Sequence, residues 1–151
     1  MRMISLLCVG VATVALTACS TGPRLGIPPS AFKCTNDDGC VITVSVTPNC
    51  VISVDREDVE IIGRDRAIRW ELDDAAVALK FRFDEHNGVV LKTADPETQF
   101  YDKEPRGANR KYHWRDKNNN YEKPTPYEYA INIEQLGSST KCMKDPRIWN
   151  N

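Results

Sequence analysis

The chain has little of what most small enzymes and metal carriers are built on. Its 151 residues include only two histidines and no Cys-x-x-Cys pair, so no set of ligands falls at zinc spacing. No Gly-x-Ser-x-Gly elbow and no glycine-rich phosphate loop occurs, so neither an activated serine nor a phosphate cradle is expected. Internal repeats are missing, and helical periodicity is almost absent from the part that reads as folded. Neither sign of charge dominates, with 20 basic against 21 acidic side chains. That balance argues against a binder of nucleic acid or anionic lipid. The apolar run from Ile4 to Leu16 is shorter than the roughly 20 residues that cross a bilayer.

What is present starts with that run. One positive charge at Arg2, a short apolar segment and small residues at its end have the pattern of a secretory signal. The ending Leu16-Thr17-Ala18-Cys19 resembles the lipobox of bacterial lipoproteins. The resemblance implies cleavage before Cys19, diacylation of its sulfur and acylation of the new amine, making residues 1–18 the signal. In lipoproteins of this kind a residue other than Asp after the cysteine permits export to the outer membrane, and here it is Ser20. The implied location is a lipid anchor in the outer membrane with the domain in the periplasm, and the membrane is the first partner. Stable anchoring takes roughly two acyl chains, each buried methylene contributing about 0.8 kcal/mol. Arg2 is the only charge in residues 1–18, so 19 basic and 21 acidic side chains remain, a formal charge of −2.

Residues 19–31 read as the lipidated cysteine and a tether, because Gly22, Pro23, Gly26, Pro28 and Pro29 resist helix and sheet. At about 3.1 Å per residue such a segment reaches roughly 30 Å. Residues 32–151 suit one domain with a modest core. Of six cysteines, Cys8 leaves with the signal and Cys19 carries lipid. Cys34, Cys40, Cys50 and Cys142 then form an even set in an oxidising compartment, which implies two disulfides. Three connectivities are possible. The favoured one joins Cys34 to Cys40 and Cys50 to Cys142.

Period-two alternation recurs along the domain. Ile42, Val44 and Val46 share one face of a strand, and Val51 to Val54 follows after a turn. Val59 and Ile61 suggest a short strand, and Ala67 to Leu72 points Ile68, Trp70 and Leu72 inward. Asp73 to Leu79 could be read as a capped helical turn, but the continuation of Val77 and Leu79 into Phe81 and Phe83 favours strand from Val77 to Phe83. Asn87-Gly88 marks a tight turn into Val89-Val90-Leu91, and a loop-rich stretch with Phe100, Tyr101, Pro105 and Gly107 follows Pro96. In Arg110 to Lys117, Tyr112 and Trp114 face one way while Lys111, His113, Arg115 and Lys117 face the other. In Tyr127 to Glu134, Tyr127, Tyr129, Ile131 and Ile133 alternate with Glu128, Ala130, Asn132 and Glu134. These two segments are expected to be antiparallel neighbours, a basic outer row beside an acidic one. The whole predicts an all-β, antiparallel β-sandwich of about seven strands, immunoglobulin-like or cupredoxin-like.

The basic row Lys111, His113, Arg115 and Lys117 is the candidate binding surface. Its aromatic neighbours lie on the opposite face, so it does not combine stacking with charge as a single-strand nucleic-acid binder would; a salt-bridged face or a contact for an acidic protein is expected. Copper is not expected, because Cys142 has no histidine after it and a blue-copper site needs a thiolate with two imidazoles. The loop Asn36-Asp37-Asp38-Gly39 lacks the spaced carboxylates of a calcium loop. Asp55, Glu57, Asp58 and Glu60 read as a solvated acidic run rather than a catalytic pair. The ending Asp145-Pro146-Arg147-Ile148-Trp149-Asn150 is similar to the Asp-Pro-x-Ile-x-Asn finish of small exported bacterial β-sandwich proteins of uncharacterised function, which implies a fold and no activity.

The expected function is that of a non-catalytic binding or accessory module of the cell envelope, without cofactor or metal. Its docking surface would be the loops from Asp95 to Asn109, and its partner an envelope protein, for example in a secretion or envelope assembly. The alternative is a periplasmic inhibitor or immunity lipoprotein that plugs a lysozyme-like hydrolase or a toxin.

Overall fold

The computed structural model describes residues 26–36, 40–94, 98–119 and 124–151. The signal segment, Cys19 and its neighbours up to Leu25, and Asp37-Asp38-Gly39 lie outside the described residues. Among those described, alternation yields twelve strands and one helical turn. In chain order these are β1 (Phe32–Cys34), β2 (Cys40–Val46), β3 (Ile52–Val54), β4 (Asp58–Ile61), β5 (Arg66–Leu72), α1 (Asp74–Ala78), β6 (Phe81–Phe83), β7 (Val89–Leu91), β8 (Phe100–Arg106), β9 (Lys111–Asp116), β10 (Thr125–Gln135), β11 (Lys141–Lys144) and β12 (Arg147–Asn150). One sheet runs β3-β2-β5-β9-β8; the other runs β1-β4-β12-β10-β11, with β6 and β7 also on β10. The all-β sandwich is therefore present, but its sheets are mixed rather than purely antiparallel. Strand β2 pairs in parallel with β5, β1 with β4, and β4 with β12. The cause is a crossing: β3 folds back on one edge of β2, β4 passes to the other sheet, and β5 returns along the free edge of β2 in the same direction.

The core is aromatic. Trp70, Trp114 and Phe100 from one sheet meet Tyr127 and Tyr129 from the other, with Trp70 and Tyr129 ring centroids 5.3 Å apart and Trp114 and Tyr129 6.1 Å apart. Trp70 donates its indole N–H to the Tyr129 hydroxyl at 3.1 Å, which satisfies both buried polar tips. This corrects the expected pairing of the two aromatic strands. Strand β9 lies between β5 and β8, whereas β10 lies in the opposite sheet. Their apolar faces pack across the core, and the basic and acidic rows point away from each other.

Strand β10, eleven residues long, organises the larger sheet. Residues 125–128 pair with β12 and 131–134 with β11, the register continuing across Asp145-Pro146 as one broken strand. On its other edge β7 pairs with 129–131 and β6 with 133–135. The Asn87-Gly88 turn therefore does not make a hairpin. It belongs to an excursion between β6 and β7 that leaves and rejoins the same edge, with Asp84 N–H donating to the Asn132 carbonyl at 3.0 Å and Asn132 N–H to the Gly88 carbonyl at 2.8 Å.

Three further segments differ from expectation for local reasons. Asp73 caps a helical turn by accepting from Ala76 N–H at 2.7 Å, so Asp74–Ala78 is α1 and only Phe81–Phe83 is strand. The stretch after Pro96 that read as loop contains β8, an edge strand whose polar sequence hides its pairing with β9 and whose register slips between Tyr101 and Glu104. The C-terminal tail forms β11 and β12, and Ile148, Trp149 and Asn150 are buried. Both favoured disulfides are present, Cys34 with Cys40 and Cys50 with Cys142, the second bridging the β2–β3 turn of one sheet to β11 of the other. Where the tether reaches the domain it packs down: Gly26 lies so close to the Trp149 ring that an added Cβ would sit 3.2 Å from it.

At one end of the sandwich a buried polar cluster ties the chain together. Asn118 donates its side-chain amide to the carbonyls of Ile61, Gly63 and Asn151 at 3.2, 3.0 and 3.2 Å. Asp116 accepts from Asn118 N–H at 2.8 Å and from the Asn150 amide at 3.2 Å.

Candidate functional site

The four residues of the basic row lie along β9 and just past its end, on the outer face of the smaller sheet. Alternation puts them there, since Tyr112, Trp114 and Asp116 point into the interior. Each is engaged locally. Lys111 Nζ lies 3.0 Å from Glu71 on β5, and Arg115 lies 2.8 Å from Asp65. Arg115 Nε also donates to the Tyr101 hydroxyl at 3.2 Å, and that hydroxyl donates to Asp65. Lys117 Nζ donates to Thr98 at 3.3 Å and sits 5.6 Å from the centre of the Tyr101 ring. The neutralising acids are thus Glu71 and Asp65, not Glu128 and Glu134. Glu134 pairs with Arg82 at 2.7 Å on the outer face of the other sheet.

His113 is the exception in that row, being only 8 % exposed. It is flanked by Arg69 of β5 and Glu104 of β8 in the sheet register. The bulge of β8 folds over it, with Asp102 at φ 49° and its backbone accepting from the imidazole. Burial holds the His113 pKa below its usual value, assisted by Arg106 and Arg115 and opposed by the Asp102 bond and Glu104. Asp65, by contrast, is held below the usual carboxylate range mainly by its bond from Arg115. His113, Arg115 and Lys117 therefore tie down β8 and the residues just before it, while Lys111 is held to β5.

The outer face of the larger sheet is similarly zipped. Lys92 pairs with Asp145 at 2.9 Å, Lys144 with Glu57 at 2.6 Å, and Arg147 with Asp58 at 3.0 Å. The acidic run therefore divides: Glu57 and Asp58 hold basic side chains of β11 and β12, and Asp55 accepts from Thr43 N–H at 2.8 Å. An open groove of about 540 Å³ lies between Ala31-Phe32-Lys33 and Asp55-Arg56-Glu57, with the Arg56 guanidinium 3.6 Å over the exposed Phe32 ring. Among the described residues no cluster of three or more His, Cys, Asp or Glu side chains is placed to hold a metal.

Of the expected docking loops, Asp95 to Glu97 lie outside the described residues and Phe100–Arg106 is strand. What remains outside strand is Thr98-Gln99 and the β8–β9 tip, Gly107-Ala108-Asn109, which continues into Arg110. Gly107, Ala108 and Asn109 take φ values of 58°, 55° and 61°, three consecutive left-handed residues. The tip is nevertheless pinned: Phe83 N–H donates to the Asn109 carbonyl at 2.8 Å and Leu72 N–H to the Arg110 carbonyl at 3.0 Å. Its apex stands clear, since a Cβ on Gly107 would meet no atom within 4 Å. Arg106, Arg110 and Lys111 surround it, all exposed. Sequence reasoning placed Gly107 in a loop but missed this arrangement. The available signal was a glycine and an asparagine, the two residues most tolerant of positive φ, inside a run with three bases and no acid. Compared with known proteins, the chain matches no family model, no curated protein and no solved structure, so its functional reading rests on its own residues.

Proposed function

We propose that this chain is a lipid-anchored envelope protein whose disulfide-stapled sandwich works by binding another protein, without chemistry of its own. The observation that carries the reading is Leu16-Thr17-Ala18-Cys19 placed only a few residues before the sandwich. Between Cys19 and Gly26, which packs against Trp149, lie six residues, and six residues span at most about 20 Å. The domain would then stand close to the outer-membrane surface on its periplasmic side, as an accessory module of a secretion or envelope assembly. The test is fractionation of the wild type and Cys19→Ser with labelled fatty acid. Wild type should take up label and sediment with outer membranes, and Cys19→Ser should do neither. A Cys19→Ser protein that still partitions with membranes would sink the anchor.

A second reading is favoured by the pinned β8–β9 tip: an inhibitor or immunity protein that inserts a preformed loop into the cleft of a hydrolase or toxin, at little ordering cost. Under it, a deletion strain should lose survival when challenged with the hydrolase.

A further inference from the structure

From the geometry of the β8–β9 tip we infer a docking site for a protein cleft lined by carboxylates, with Arg110 as its principal contact. The inference rests on the reading that the domain binds a protein, and adds where and to what chemistry. Three observations converge on the tip. It is preformed, because carbonyls of Asn109 and Arg110 are tied to β6 of one sheet and β5 of the other, so docking orders no loop. It projects, because a Cβ added at Gly107 would meet no described atom within 4 Å, and Gly107 and Ala108 are exposed. It also differs in charge from the rest of the surface. Residues 106–111 carry three bases and no acid in a chain of formal net charge −1. Arg106 is held by Glu104 and Lys111 by Glu71, which fixes their direction and leaves Arg110 without an ion pair among the described residues. A guanidinium left free on a pinned backbone is suited to forked hydrogen bonds with a carboxylate.

A broad anionic surface fits less well. Glu104 and Glu71 stand directly behind the tip, and Asp73 and Asp74 follow Leu72, whose N–H is bonded to the Arg110 carbonyl. A membrane or nucleic acid lying across this end would meet those acids as well as the bases. A cleft that admits only the apex meets the bases alone.

The experiment uses the full-length chain in its own cells, with a photo-crosslinking residue in place of Ala108 and, separately, in place of Met143 on the outer face of the opposite sheet. Adducts are identified by peptide mass spectrometry. The expected result is a protein adduct at position 108, within a segment of the partner that carries Asp or Glu, and a yield falling roughly tenfold in Arg110→Glu, as reversal of one member of a desolvated charge pair should produce. An unchanged melting temperature for purified Arg110→Glu shows that the loss is not unfolding. Adducts to lipid, polysaccharide or nucleic acid at position 108, or a protein adduct insensitive to Arg110→Glu, would overturn the inference. Protein adducts at 143 without any at 108 would overturn it while leaving the binding reading intact. No protein adduct from either position would count against both.

Discussion

At the residue scale, Asn118 shows how one side chain joins distant segments. Its amide serves three carbonyls from the end of β4, the Gly63 turn and Asn151, and its φ of 46° is one that asparagine tolerates. Asn118→Ala should lower stability by about 2–3 kcal/mol, because buried carbonyls lose their donor. Asn118→Asp should cost more, since a carboxylate would face three oxygens. Urea denaturation of the two variants checks both values and their order. His113 gives a pH dependence with a definite sign. Its folded pKa lies below the unfolded value, so the unfolded chain takes up a proton first as pH falls. Stability should therefore be full above about pH 6.5 and decline below it, by at most about 1.4 kcal/mol per unit, until the folded pKa is passed. The charges facing it are Arg69 from β5, Glu104 and Arg106 from β8, and Lys111 and Arg115 from its own strand. His113→Gln should flatten that part of the curve; equal slopes for wild type and variant between pH 7 and 5 would show that the histidine is not responsible.

At the element scale, alternation made most strands legible, because a strand with one buried face writes its geometry into every second residue. Val41 to Val46, Ala67 to Leu72 and the two aromatic strands read correctly for that reason. The misses have local causes as well. Strand β8 is an edge, with Pro105 and four charged residues among its seven, and an edge need not alternate. Strand β12 reads as a tail because its four residues are too few for a period. Helix α1 was visible as a capping signal at Asp73 and was outweighed by apolar residues that could be spaced either way. The residue that ends it tests this reading. Lys80 takes φ 63° just past the C-cap Leu79, the position where glycine is preferred. Lys80→Gly should stabilise the domain by up to about 1 kcal/mol, the relief of left-handed strain being partly offset by a more flexible unfolded chain. A thermal melt checks it, and a loss of stability would contradict the assigned turn. Neither the pairing of strands across the sandwich nor the pinned tip could be read in advance, since both depend on which edges meet in space.

At the scale of the whole molecule, the two disulfides differ in what they constrain. Cys34 and Cys40 are 6 residues apart, Cys50 and Cys142 are 92 apart, so chain entropy predicts about 2 kcal/mol from the first and about 4–5 from the second. The longer bridge also ties the two sheets. Removing it as Cys50→Ser with Cys142→Ser should lower the melting temperature by roughly 10 °C or more, several degrees beyond the drop from Cys34→Ser with Cys40→Ser. Equal losses would show that loop length does not govern the contribution.

The placement of β12 bears on how the chain reaches this state. Its four residues fill the slot between β4, nearly ninety positions earlier, and β10, so the larger sheet has a gap at its centre until Asn150 has left the ribosome. Contacts of such long range form slowly. A nascent chain with that gap offers two unpaired edges at once, those of β4 and β10. Arrest of synthesis just before Arg147 should therefore yield a protease-sensitive chain, and release past Asn150 a resistant one.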